Sequence, residues 1–225
     1  MSSLLLLNGS PRGPRSNSMK MLTRIADGWT EAGGGSIETL HLARRADSER
    51  AVLAYAEADV VMLGMPLYTD AMPAIVKEWI ERLEPRVGMA GNPRMAFLVQ
   101  SGFAESLHSR PLERYLAKLA SRLGGGYAGT IVRGEGEALQ SMPDEASKKL
   151  WLRLQTLGSQ LATTGEFDSE TLAKVALFER MSPVVAGLAS LAVKLPIVQS
   201  YWNGPLKKNG VWDRRFNAPY APAAR

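Results

Sequence analysis

Short apolar runs alternate with amphipathic stretches of helical period over the first 160 or so residues, and this alternation constrains the fold more than any other feature. Runs at 4–7, 36–42, 59–64, 94–100 and 127–132 read as strands. Stretches at 17–32, 49–56, 74–83, 111–123 and 144–162 read as helices. In the first helix Met21, Leu22, Ile25 and Trp29 recur at helical spacing; in the third, Ile75, Val76, Trp79, Ile80 and Leu83 do. Glycine triplets at 33–35 and 124–126 stop two of the helices. Strands separated by helices pair in parallel, with crossovers that cover both faces of the sheet.

Five such strands with five helices match a flavodoxin-like doubly wound α/β fold. The expected strand order is 2-1-3-4-5, taken from the priors of that architecture, with helices on both faces. This domain is expected over 1–165. Residues 166–225 read as a C-terminal helical extension, with short helices at 169–181 and 183–195 and then an irregular tail. No flexible linker precedes it, so it is expected to pack on the same domain or on a partner subunit.

The chain has 225 residues, enough to bury a sizeable core. It contains no cysteine, which removes disulfides, thiolate metal sites, iron–sulfur clusters and cysteine nucleophiles. With only His41 and His108, a histidine-rich metal site is not expected. The N-terminal residues lack the pattern of a signal peptide, and the longest apolar run, PVVAGLASLAV from Pro183, is too short to span a bilayer. A cytoplasmic location and no membrane span are therefore the expectations. The formal net charge of +5 favours anionic ligands.

In a doubly wound sheet, ligands bind beyond the carboxyl ends of the strands near the topological switch point. The loops there read NGSPRGPRSNS, MPLYTDAMP and SGFAESLH. The first runs into a helix N-terminus, where free N–H groups and the helix dipole attract anions. Ser10, Ser16 and Ser18 add hydroxyls, Asn17 an amide, and Arg12 and Arg15 positive charge, which together suit a phosphate monoester. Neither the Gly-Lys-Ser/Thr ending of a Walker loop nor GxGxxG is present. The plain alternative is an ordinary loop with Ser16 or Asn17 as the helix cap. The second loop places Pro66, Leu67 and Tyr68 directly after a buried strand, an apolar and aromatic tip suited to a flat ligand, with Asp70 as a helix cap. In the third, Gly102 allows close approach of the backbone, and N–H groups around Ser101–Phe103 are placed to bond the edge of a heterocycle. Glu105 and His108 carry weaker signals.

GSPR…SNS after the first strand, PLYTDAMP after the third and SGF.E after the fourth resemble the flavodoxin-like NAD(P)H-dependent FMN reductases and quinone oxidoreductases, over about 4–132. The resemblance implies bound FMN and two-electron reduction by NADPH or NADH, with hydride passing through flavin N5 to a small acceptor such as a quinone or free flavin and no side chain acting as catalyst. It implies that Ser10, Arg12, Ser16, Asn17 and Ser18 hold the FMN phosphate. Pro66, Leu67 and Tyr68 would line the ring and ribityl region, and Ser101, Gly102 and Phe103 the pyrimidine side. Pro14 and Arg15 depart from some relatives in the phosphate loop. The resemblance also implies a homodimer or higher homo-oligomer.

From Lys194 onward the tail carries Lys194, Lys207, Lys208, Arg214, Arg215 and Arg225 against Asp213, interleaved with Tyr201, Trp202, Trp212, Phe216 and Tyr220. Such a segment either wraps over its own domain or a partner subunit, which is favoured, or stacks on single-stranded nucleic acid. Two further classes stay open beside the reductase: an FMN-binding electron carrier, and a flavin-less interaction or regulatory module that uses the basic aromatic tail.

Overall fold

In a parallel sheet covered on both faces, neighbouring residues of each strand feed opposite cores. The computed structural model, which describes residues 2–140 and 142–218, shows this arrangement. Its elements in chain order are β1 (Leu4–Asn8), α1 (Asn17–Glu31), β2 (Ile37–His41), α2 (Arg45–Glu57), β3 (Val60–Pro66), α3 (Ala74–Glu81), β4 (Arg94–Gln100), α4 (Arg110–Leu123), β5 (Tyr127–Arg133), α5 (Lys148–Thr163), α6 (Ser169–Ala176), α7 (Pro183–Ala192) and α8 (Pro196–Lys208). The strands form one all-parallel sheet of order β2-β1-β3-β4-β5, as expected.

Leu5, Leu7, Val61, Leu63, Phe97 and Val99 point to one core, closed by Tyr55 of α2, Val76 and Trp79 of α3 and Leu116 of α4. Leu4, Leu6, Met62, Ala96 and Leu98 point to the other, closed by Ile25 and Trp29 of α1, Leu154 and Leu157 of α5, and Val175 of α6. The register of β1 sets Asn8 level with His41 on β2 and with Gly64 on β3. That level is the carboxyl edge of the sheet, where the loops gather.

The chain divides into two compact units, Met1–Arg180 and Met181–Arg225. Helix α6, placed by the sequence reading in the extension, packs on β5 and α5 within the first unit. The second unit corrects one expectation. Beyond 195 the sequence reads as irregular because Gly204 and Pro205 punctuate it, yet Pro196–Lys208 is helical with Pro205 inside. Pro196 occupies its first turn, where a missing N–H costs nothing. Tyr220 and Arg225 lie outside the described residues.

The most extensive helix–helix contact is between α1 and α5, and two glycines set it. A Cβ on Gly28 would run into the carbonyl of Gln155, and one on Gly158 into the carbonyl of Ile25. The backbones therefore touch where ordinary side chains would hold them apart. A helix-interior glycine usually gains stability on change to alanine; here the sign reverses. Gly28→Ala and Gly158→Ala should each destabilise the protein by about 1–3 kcal/mol through overpacking. Urea or thermal unfolding checks this, with a midpoint several degrees lower as the expected result.

Candidate functional site

Asn8, the last residue of β1, is fully buried and organises the first loop. Its Nδ2 donates to the Gly13 carbonyl at 2.7 Å and to His41 Nδ1 at 3.1 Å. Its Oδ1 accepts from the Ser10 N–H at 3.1 Å and from Ser16 Oγ at 3.4 Å. An amide has two donor and two acceptor positions, and all four are filled. The loop they hold turns at Gly13, whose φ of 60° suits glycine best. Ser16 then caps α1, accepting from the Met19 N–H at 3.1 Å. The first intrahelical bond is that of Lys20 to the Ser16 carbonyl, which leaves the N–H groups of Asn17 and Ser18 for a ligand.

The loops after β1, β3 and β4 close on one pocket. Ser10, Arg12, Ser16 and Asn17 line it from the first loop, Pro66, Leu67 and Tyr68 from the second, and Ser101 and Gly102 from the third. The pocket is small and partly open to solvent, with a volume of about 40 Å³. Arg15, Ser18 and Phe103, all named from the sequence, do not line it, and Arg15 is exposed. Ser18 is buried, and its Oγ has no partner among the described residues. Phe103 turns to the surface and stacks on His108, with ring centroids 4.3 Å apart.

The donors available differ from those the sequence suggests. The side-chain amide of Asn17 is spent on the Gly136 carbonyl at 2.8 Å, and its buried Oδ1 is without a partner. Asn17 thus offers a ligand its backbone N–H and not its side-chain N–H. The Ser101 N–H is likewise spent, on the Arg133 carbonyl at 3.0 Å, so only Gly102 and Phe103 keep N–H groups for a heterocycle edge. Asp70 caps nothing: α3 starts at Pro73 without a side-chain cap. Instead Thr69 and Asp70 form a two-residue hairpin between Tyr68 and Ala71, with φ of 49° and 59°. This conformation costs a β-branched residue, and it projects Tyr68 at the pocket mouth.

Two lining residues were missed by the sequence reading. Gln100 ends β4, and a polar residue closing the apolar run 95–99 was the available signal. Glu137 lies on a 3-10 turn, Gly136–Gln140, in the loop after β5, which shows no motif. Glu137 matters because it holds Arg12. Arg12 Nη1 donates to the Glu137 carboxylate at 3.0 and 3.3 Å and to Gln140 Oε1 at 3.2 Å. Nε and Nη2 of Arg12 have no partner among the described residues, so part of the guanidinium fork stays open. No three His, Asp or Glu side chains among the described residues gather as a metal ion needs.

The sequence matches the Flavodoxin_2 family, described as flavodoxin-like fold, over residues 2–121, and the chain belongs to that family. No curated protein matches the sequence. Among solved structures it is similar to an FMN-dependent NADH-azoreductase from Bacillus anthracis solved with FMN: 16% identity, 72% of this chain and 100% of that one, TM-score 0.56. It is also similar to an NAD(P)H:quinone oxidoreductase from Methanothermobacter marburgensis, with 17% identity over 71% and 96% of the two chains and TM-score 0.55. An NADPH-quinone reductase from P. pentosaceus matches at 17% identity over 72% and 98%, TM-score 0.52.

His41 ties the loop to pH. Burial, with Arg44 adding to it and Asp47 opposing, lowers its pKa below the ordinary value. Neutral His41 accepts from Asn8 at Nδ1; protonated, it would present a second donor there. The folded pKa lies below the unfolded one, so this contribution is complete above about pH 6.5 and is lost as pH falls through the lowered value. Unfolding midpoints should therefore drop on acidification from pH 7 to 5 more in the wild type than in His41→Gln. Asn8→Ala, which strands a buried carbonyl and N–H, should cost about 1–3 kcal/mol in urea unfolding.

Proposed function

We propose that the first unit binds FMN and passes hydride from NADPH or NADH through it to a small acceptor. One observation carries this: three loops bring phosphate donors and an apolar, aromatic wall to a single pocket at the switch point of the sheet. The names of the structural neighbours point the same way.

The residues present suit the cofactor. The N–H groups of Asn17 and Ser18 at the helix N-terminus, the Ser10 hydroxyl and the open part of the Arg12 fork make a donor set for a phosphate dianion. Ser16 serves as cap and brace, its hydroxyl already shared between Met19 and Asn8. Pro66, Leu67 and Tyr68 would shelter the ring, and the N–H groups of Gly102 and Phe103 would meet its pyrimidine edge. FMN, when bound, supplies two-electron hydride chemistry, so the protein needs no acid or base of its own. Its side chains bind, orient and keep water from the ring.

We also propose a homodimer. Exposed Tyr68, Phe103, Leu107 and Tyr115, on the loops and helix next to the pocket, support it. Light scattering that finds only monomer at micromolar protein removes this part. The cytoplasm, where NAD(P)H is at hand, is the compartment we propose.

The visible spectrum tests the function. Protein loaded with FMN and freed of excess should stay yellow and should bleach on NADPH or NADH without air. Yellow protein that neither donor bleaches indicates an electron carrier, and colourless protein overturns the flavin reading. Arg12→Ala should weaken FMN binding about tenfold or more, the scale of a charge-assisted bond. Glu137→Gln should tighten it about two- to fivefold, because it frees Arg12 from a half-exposed ion pair. Fluorescence quenching of FMN on titration reads both.

A further inference from the structure

Of the 27 basic and 22 acidic side chains, six and one lie in residues 181–225, so the first 180 residues balance at 21 and 21. The whole net charge of +5 belongs to the C-terminal segment. The same segment, a fifth of the chain, holds eight of the nineteen large apolar residues that are exposed among the described residues. Helix α7 contains no charged residue and buries none of its side chains. Val184, Leu188 and Leu191, one helical stripe, are 72%, 63% and 62% exposed. Val193, Leu195 and Val198 extend the exposed apolar run into α8.

A helix that is apolar all round belongs in a core or in lipid. Among the described residues that follow it in the segment, the charges are five basic and one acidic, Asp213. Lys194 follows α7, and Lys207 and Lys208 close α8. Arg214 and Arg215 lie in and just after the turn Trp212–Arg214. Trp212 sits between Lys207 Nζ at 5.0 Å and the Arg215 guanidinium at 3.9 Å. Arg215 also lies 4.6 Å from the ring of Phe216, which is 85% exposed. A short helix without charged side chains, with Lys and Arg flanking it and Trp and Phe beside those cations, suits a bilayer interface, where apolar side chains reach the acyl chains while cations and aromatic rings stay at headgroup level.

We propose that the second unit docks on an anionic membrane surface. The apolar side chains of α7 enter the boundary between headgroups and acyl chains. The basic side chains meet anionic headgroups, with Trp212 and Phe216 at their level. Helix α7 has 10 residues and is about 15 Å long, half of what spanning needs, so it lies on the membrane and does not cross it. A second copy of this unit would bring the same positive charge against itself, which an anionic surface does not. A nucleic acid would neutralise the cations and leave the valines and leucines in water.

Sedimentation of the full chain with lipid vesicles tests the proposal, independently of flavin binding. Vesicles of phosphatidylcholine with one third phosphatidylglycerol should bind it at least about tenfold more tightly than phosphatidylcholine alone, and salt should weaken the binding. Leu188→Glu with Leu191→Glu should abolish it. Lys207→Glu with Lys208→Glu should remove the preference for anionic lipid. Thermal unfolding of the first unit, unchanged in both variants, shows that they fold. No binding to anionic vesicles, or equal binding to both kinds, overturns the proposal. So does light scattering in which the leucine variant turns a dimer into a monomer, which gives the face to a second copy. An oligonucleotide that binds and that vesicles fail to displace overturns it as well.

Discussion

One buried amide sets the geometry of the pocket. Asn8 ends β1 with its side chain at the carboxyl edge of the sheet, where the strand hands over to the first loop. Its two donors and two acceptors reach the loop at Ser10, Gly13 and Ser16 and the neighbouring strand at His41. Since every position is filled, shifting the loop strands a buried polar group. The ligand-facing donors are what remain after this internal demand has been met. The carbonyl of Gly13 and the hydroxyl of Ser16 face inward; the N–H groups of Asn17 and Ser18 do not. A loop built this way is set before a ligand arrives, which lowers the entropy that binding must overcome.

The electrostatics of the pocket are more tempered than the composition implies. The net positive charge lies in the C-terminal segment, and the unit that holds the pocket is balanced. Within the pocket Arg12 already faces Glu137 and Gln140. An incoming phosphate therefore competes with a carboxylate for one guanidinium. The sequence argument that a net positive charge favours anionic ligands does not apply locally. The helix N-terminus and the Ser10 hydroxyl carry the attraction instead.

Much of the fold was legible because period reports burial. Leu4 to Leu7 read as a strand, and the structure shows why: Leu4 and Leu6 face one core, Leu5 and Leu7 the other. Ile75, Val76, Trp79 and Ile80 read as one helix face, and α3 turns Val76, Trp79 and Ile80 inward. Helix α8 was not legible, because Gly204 and Pro205 argue locally for a break. The loops after β1, β3 and β4 were legible as ligand loops from composition and topology. What each polar atom does there was not. Asn17 looked like a phosphate donor and ties two loops together; Asp70 looked like a cap and sits in a strained turn. Glu137 lies 125 residues from Arg12, in a loop with no motif, and sequence spacing carries no signal for such a pair.

The sequence by itself determined the parallel sheet, its helical cover and the three loops at its carboxyl edge, because alternation and turn chemistry act over a few residues. It also determined that a basic, aromatic segment and an apolar stretch lie close together beyond residue 180. Tertiary structure alone decided which hydroxyls and amides are free, that Gly28 and Gly158 bring two helices into backbone contact, and that a glutamate restrains the arginine of the pocket. Hydrogen-bond capacity is finite and shared among groups that meet only when the chain is folded, so a donor present in the sequence is a donor to a ligand only if the fold has left it unspent.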